Sequence, residues 1–517
     1  MAAAQGKVEL EVEHRGIVTI CLMIATLMQA LDSTIANVAL PYMQGSLSAS
    51  YDEITWVLTS YVVMAAIMTG PVGWLAARFG RKNLFIVCLV GFTMTSMLCG
   101  VAGSLTQMVL YRLAQGAFGA ALVPLSQSTM LDIYPAEQRG SAMSIWGMGV
   151  MVGPILGPTL GGYLTAQFDW RYVFFVNLPF GVAAVLGLMF FMPSDKSHGV
   201  RKFDWTGFAA LSIGLAALQF GLDRGEEFDW FSAASITAAF IIAALGIYMF
   251  VVHMVLARNT FLARELFEDR NFVASLITMF SVGIVLLAAS ALLPPYIETL
   301  SGYPVASAGL LMAPRGIGTL LAMQVMGRLT NRVDPRLLML CGYVLLGLAL
   351  YMQEGWTPDE SEAYMILTIT IQGAGLGAVF VPLQVVAYYT MRPALRTQGA
   401  ALLSLVRNVG SAIGISITGA LLQHMAQAEH AVLAGQITPF NRTLQIGGTV
   451  SQMLDPTKPA GAALLNSLID TQAQIIAYID DYKFMLLATV PAMACLLLMR
   501  KPPQATARLD PETVFEA

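Results

Sequence analysis

An aspartate, Asp32, stands inside the otherwise apolar run LDSTIANVALP at residues 31–41. Inside a lipid-embedded helix a lone carboxylate costs about 2.5–3.5 kcal/mol on insertion scales, so such a residue is expected to have a partner or a task. The chemistry open to it is binding and releasing a proton, or pairing with a cation. Arg112, in the run YRLAQGAFGAA at residues 111–121, is a candidate partner, because both residues fall toward the same side of the membrane within their segments. Paired, each lowers the cost of burying the other. Two readings stay open. One is a static salt bridge. The other is a switch, in which a proton or cationic substrate on Asp32 changes its pull on Arg112 and biases the direction of opening. Asn37 and Gln115 share these two segments and complete the candidate proton-coupling and substrate set. Gln29, Asn177, Gln372 and Gln384 are further polar groups in apolar runs, able to bridge helices for about 1 kcal/mol each or to line a cavity. Gln372, Gln384 and Arg407 (in RNVGSAIG) are the candidates in the second half; a structural role competes for Arg407, and Arg315 (in APRGIG) receives no assignment.

The elements that hold these residues must be membrane helices. The chain has 517 residues, 56% hydrophobic and 12% charged, with a mean hydropathy of +0.67. Soluble domains carry about 25% charged residues, so the solvent here is lipid. All five cysteines, an odd set, fall in apolar segments without metal-ligand spacing, which argues against a disulfide framework or zinc site; no metal is expected. No phosphate-binding glycine-lysine loop is present, so ATP drive is unsupported and no cofactor is expected. Nothing in the composition points to nucleic acid. Residues 1–15 lack the basic start and cleavage site of a signal peptide, so the first segment should remain as an anchor.

A spanning helix needs about 20 apolar residues. Fourteen candidates fall at 16–41, 54–77, 83–104, 106–131, 140–166, 172–193, 206–222, 232–257, 271–297, 305–327, 336–353, 362–391, 398–424 and 483–500. With the N-terminus inside, Arg78, Arg81, Lys82, Arg139, Lys196, Arg201, Lys202, Arg258, Arg264, Arg270, Arg328, Arg336 and Arg500 fall on the inner side. Only Arg171, Arg224, Arg442, Lys458 and Lys483 fall on the other. This lysine and arginine bias predicts both termini in the cytoplasm.

An internal repeat is visible. GWLAARFGRKNL (73–84) recurs as GRLTNRVDPRLL (327–338), and QGAFGAALVPL (115–125) as QGAGLGAVFVPL (372–383). The expected fold is an all-α polytopic membrane protein of two six-helix repeats plus two inserted helices, with the site between the halves. The divisions are a tail at 1–15, a bundle at 16–193, the inserted pair at 206–257, a second bundle at 271–500 and a tail at 501–517. A long outer loop at 425–482 ends in a helix whose apolar face carries Leu465, Leu468, Ile469, Ile476 and Ile479. That face packs on the membrane or on the protein itself, or it docks a partner through Ile476 and Ile479.

Gly153, Gly157 and Gly161 are spaced by four, on one helix face, and permit a close backbone approach. Pro154 and Pro158 can bend that helix. Ordinary tight packing explains these glycines as well as any transport role does. Thirty methionines and 25 phenylalanines suit an adaptable drug cavity and lipid-facing packing equally, so they do not discriminate.

At these motifs the chain resembles the major facilitator superfamily. GWLAARFGRK, with Gly73, Arg78, Gly80, Arg81 and Lys82, is similar to that superfamily's cytoplasmic gating signature. YRLAQGAFGAA is similar to its fourth-helix motif. GVMVGPILGPTLGG (149–162), with Gly153, Gly157, Pro158, Gly161 and Gly162, is similar to its antiporter motif. LDSTIANVALP resembles the first-helix motif of the fourteen-helix drug:proton antiporters. WRYVFFVNLPFG (170–181) and DRGEEFDWF (223–231) resemble the EmrB-type multidrug efflux pumps. The likeness covers nearly the whole chain. It implies a proton-driven exporter of hydrophobic or amphiphilic drugs in the bacterial inner membrane, working with an EmrA-like periplasmic adaptor and an outer-membrane channel. It also implies that the bent, close-packed fifth helix seals the halves against leakage. One departure stands out: Ala77 occupies the place of the usual gating aspartate, with Asn331 at the matching repeat position, so the family's latch is in doubt here. Export of an endogenous metabolite such as a siderophore or fatty acid, and a non-transporting scaffold or sensor, are the competing functions.

Overall fold

The structure is a computed structural model that describes residues 12–194, 202–257, 260–330, 332–437, 453–455 and 457–500. Among the described residues there are helices and no strands. The long helices are α1 (Arg15–Leu47), α2 (Trp56–Thr69), α3 (Val72–Phe79), α4 (Arg81–Gly100), α5 (Leu105–Gly119), α6 (Leu122–Ile133), α7 (Arg139–Gln167), α8 (Asn177–Phe191), α9 (Trp205–Arg224), α10 (Ala234–Leu256), α11 (Arg270–Pro295), α12 (Val305–Leu329), α13 (Pro335–Glu354), α14 (Glu362–Tyr389), α15 (Arg396–Gln436) and α16 (Pro459–Leu496).

A helix stands at each of the fourteen expected positions. Eleven are long and apolar enough to cross a membrane, or twelve if the bent pair α2 and α3 is one span. The pair bends by 58° at Gly70-Pro71, where a missing amide hydrogen and a ring clash break the helical ladder. The remaining two positions are α7, crowded with glycine, and α16, whose first half is polar. Exposed apolar side chains such as Leu186, Phe190, Ile241, Tyr248 and Val255 form an outer surface that only lipid can cover.

Packing repeats between the two ends of the sequence. α1 lies on α7 and α8, α2 on α5, and α4 on α5 and α8. In the same pattern α11 lies on α15 and α16, α12 on α14, and α13 on α14 and α16. α7 against α12 and α6 against α15 join the two sets, while α9 and α10 pair with each other and rest on α2 and α15 through α9.

The expected outer loop is a correction. Residues 425–436 continue α15, and residues 459–482 are the first part of α16, so most of the segment belongs to two long helices that pack on each other. His430 on α15 meets Asp470 and Asn466 on α16 at 3.3 and 3.1 Å. The covered stripe of α16 is Ala473, Ile475, Ala477 and Tyr478. Ile476 and Ile479 are only half-buried, and Leu468 is exposed. Asn331 lies outside the described residues.

Candidate functional site

Asp32 and Arg112 face each other in the core of the first half, both fully buried. The guanidinium Nη1 donates to Asp32 Oδ2 at 2.7 Å and to Gln115 Oε1 at 2.8 Å, and its Nε donates to the Val57 carbonyl at 3.1 Å. Gln115 Nε2 donates to Asp32 Oδ1 at 2.9 Å. Asn177, at the start of α8, reaches the same oxygen at 3.3 Å and Ser96 Oγ at 3.0 Å. The Arg112 guanidinium also lies over the Tyr61 ring, 4.3 Å from its centroid, an attraction of roughly 2 kcal/mol when desolvated. Asp32 therefore accepts from three side chains on two other helices.

Helix geometry produces this constellation. Arg112 and Gln115 are three residues apart and so share one face of α5. That face is open toward α1 because Gly116 and Gly119 let α2 and α4 approach closely: a Cβ on Gly116 would strike the Tyr61 carbonyl, and one on Gly119 would press on Phe92. α1 is seated against α7 by the glycine stripe. A Cβ on Gly153 would run into Ala30 and Leu31, one on Gly157 into Thr34, and one on Gly161 into Ile35. The residues that flank Asp32 in sequence are thus those that α7 grips. Gly162 faces away, with Val38 no nearer than 3.8 Å. The side chains of Pro154 and Pro158 lie outside the described residues, while their backbone continues α7.

Of the expected set, Asn37 is the exception. It is exposed on another face of α1, apart from the cluster. Asn177, Ser96 and Tyr61 join instead. Asn177 was legible as a polar residue inside an apolar run, but its reach to Asp32 depends on how α8 packs.

The cytoplasmic signature residues form a second polar cluster at the basic end. Ala77 is exposed, and the carboxylate of this cluster is Asp132, at the C-terminal end of α6, which pairs with Arg81 and with Arg396 at the start of α15. One buried carboxylate thus ties the two sets of helices together. Asp132 had a faint signal, an acid at the end of an apolar run. Gly73 takes Gln398 against its Cα, and Gly80 turns the chain with φ +82°, a left-handed conformation that suits glycine. Lys82 donates to the carbonyls of Met189 and Met192 at the end of α8, and Arg78 lies against Trp74.

The closed contact between the halves continues inward. Gln384 accepts from Gln127, Thr397 meets Ser128 at 3.2 Å, and Ser144 donates to the Met323 carbonyl at 2.7 Å. Gln384 therefore bridges the halves, while Gln372 stays within its own, donating to Gln353 at 3.0 Å. Arg315 is held by Ser290 Oγ and the Leu286 carbonyl. Arg407 is half-buried on α15, with no hydrogen bond or ion pair among the described residues. No group of three or more potential metal ligands occurs among the described residues.

These features sit on a chain with known relatives. The family model described as Major Facilitator Superfamily matches residues 22–415. The chain is 34% identical to the multidrug export protein EmrB of Escherichia coli K12, covering 89% of this chain and 90% of that one. It is 33% identical to the fatty acid resistance protein FarB of Neisseria gonorrhoeae, covering 83% and 84%. The human organic anion transporter MFSD10 superposes with a TM-score of 0.59 at 14% identity, over 92% of this chain and 100% of that one. The repeated packing, the glycine-seated first helix and these matches together place the chain in the major facilitator superfamily, as a multi-pass membrane protein.

Proposed function

We propose that this protein is a proton-coupled antiporter that exports hydrophobic or amphiphilic drugs across a bacterial inner membrane. The observation that carries the reading is the fully buried Asp32–Arg112 pair with its three donors. A carboxylate held by one cation and two amides can take a proton only by giving up part of that hold. Protonation from the outer side loosens Arg112, weakens the α1–α5 contact and favours rocking of the halves; drug binding from the cytoplasm then accompanies proton release. The similarity to a multidrug export protein supports the substrate class.

The same reading treats 16–193 and 271–500 as two six-helix bundles, 206–257 as an inserted pair and both termini as cytoplasmic. Asp132 with Arg81 and Arg396 then forms the inner latch, taking the task that Ala77 cannot. The paired ends of α15 and α16, including Ile476 and Ile479, are where a periplasmic adaptor would seat, with an outer-membrane channel beyond it. A second reading is export of an anionic amphiphile such as a fatty acid. Arg407, an intramembrane cation without a partner among the described residues, and the likeness to FarB favour it.

The test is uptake of a fluorescent amphiphilic cation into inverted proteoliposomes acidified inside. Wild type should accumulate it and collapse the proton gradient in step, and Asp32→Asn should do neither. Equal uptake by a well-folded Asp32→Asn protein would sink the assignment.

A further inference from the structure

Asp481 is the most unusual carboxyl in the molecule. It has 0% exposure, and neither of its oxygens has a hydrogen-bond partner among the described residues. It lies on the buried stripe of α16 formed by Tyr478, Asp481, Tyr482 and Met485. Tyr296, from the π-helical turn after α11, packs edge-on against Tyr478 with centroids 5.1 Å apart, and against Trp356 at 5.4 Å. Trp356 in turn meets Tyr482 at 6.3 Å. The hydroxyls of Tyr296 and Tyr482 and the Nε1 of Trp356 are themselves without partners among the described residues. The acid therefore shares the buried face of α16 with two tyrosines whose rings pack against Tyr296 and Trp356.

Tyr478 is also a wall of an open cavity of about 680 Å³, lined by Glu226, Thr299, Leu422, His430 and Gln474. The carboxyl thus lies one side chain behind a solvent-accessible vestibule. On its far side, unpartnered polar atoms continue inward. The Trp356 amide bonds the Gln353 carbonyl, and among the described residues Gln353 Nε2 and the Oε1 of Gln372, which bonds Gln353, have no partner. Gln372 is the repeat counterpart of Gln115, which holds Asp32 in the first half.

We propose that Asp481 is a second proton-binding carboxyl of this protein, reached from the outer vestibule past Tyr478 and distinct from the Asp32 pair. The physical requirement is simple. An ionised carboxylate sealed without donors is far costlier than its neutral acid. The groups around it do not change the balance. Asp480 on the same helix adds like charge and, after burial, is the second cause that pushes the Asp481 pKa up to about 8. Lys483 is engaged by Asp480 and Glu354 at 3.2 and 3.9 Å. From α11 and its π turn the titratable neighbours are Tyr296 and Glu298, and from the turn after α13 they are Asp359 and Glu360. The antiparallel pairing of His430 with Asp470 puts Asp481 opposite residues near Gly419 of α15, where the stretch 415–423 carries no charged or titratable side chain.

The use of this proton in transport rests on the proton-driven reading above, but its binding is measurable without transport. Infrared difference spectra of the full-length protein between about pH 6 and pH 9 report protonated carboxyl groups directly. On an Asp32→Asn background, a carboxylic acid band present at the lower pH should fade at the higher, and Asp481→Asn should remove it. Asp481→Glu should shift it. If Asp32→Asn protein shows no such band, or if the band is unchanged in Asp32→Asn/Asp481→Asn, the proposal is overturned, whatever the transport assay gives. Thermal unfolding supplies a second arm. The ordinary value of 3.8 and the folded value of about 8 mean that the folded state alone keeps the proton between them, so rising pH destabilises the fold across that window. Asp481→Asn escapes this loss. Its advantage in Tm over wild type should grow from about pH 4 to about pH 8 and then level off. An advantage independent of pH also overturns the proposal, as does loss of tetraphenylphosphonium binding in Asp481→Asn with no titrating band, which marks an organic-cation cage instead.

Discussion

Arg112→Ala is the sharpest perturbation of the buried pair. It strips Asp32 of its cation and leaves two amide donors, Gln115 at 2.9 Å and Asn177 at 3.3 Å. It also leaves the Val57 carbonyl without its 3.1 Å donor and the Tyr61 face without its cation. Removing one member of a buried ion pair costs about 3–5 kcal/mol, most of it from the charge left behind. Asp32→Asn is expected to be milder, about 2 kcal/mol, because Arg112 keeps Gln115 Oε1, the Val57 carbonyl and the Tyr61 ring. The double variant carries no isolated charge. Its cost should fall below the sum of the single ones by about 2 kcal/mol or more. The assay is denaturant unfolding in mixed micelles, with all four proteins of the cycle measured at one pH and salt. Additivity to within about 0.5 kcal/mol, or Asp32→Asn proving costlier than Arg112→Ala, would refute the idea that a desolvated charge sets the energetics.

Other outcomes follow from the same geometry. Gly157→Val, whose side chain would overlap Thr34, should unfold the protein or abolish transport, whereas Gly162→Ala, with 3.8 Å of clearance, should be neutral in expression and Tm. Asp132→Asn removes the carboxylate shared by Arg81 and Arg396; maleimide labelling of a cysteine at Gln384 should speed up at least several-fold as the inner contact opens, and unchanged labelling counts against a latch. With the termini in the cytoplasm, a cysteine at exposed Leu468 should label from outside intact cells and one at exposed Leu337 should not. Ser at both Ile476 and Ile479, which are half-buried, should weaken copurification of an adaptor while sparing Tm; a large fall in Tm would mean that they pack against their own chain.

What the sequence discloses and what it hides divides along a physical line. Hydropathy marks eleven or twelve of the fourteen segments, because a span must be apolar along its length, while the glycines of α7 and the polar first half of α16 weaken that signal. The Asp32–Arg112 pairing was legible because two opposite charges at similar depth in lipid have few alternatives to each other. The glycine spacing on α7 announces a close helix contact, and the contact found is the one that seats Asp32's own helix. The failures are of another kind. Asn37 sits five residues beyond Asp32, half a turn away from its face, and depth alone could not show that. Asn177 and Asp132 lie at helix ends, where position in space depends on tertiary packing and not on periodicity. Asp481 was hidden for the same reason. It reads as one half of a soluble-looking DD pair beside Lys483, in a segment expected to be an outer loop. Only the continuation of α16, whose buried face packs Tyr478 and Tyr482 against Tyr296 and Trp356 from distant parts of the chain, carries that acid into the interior. In both halves, then, helical periodicity fixes which face a polar group occupies, and the partner that decides its chemistry comes from a helix far away in sequence.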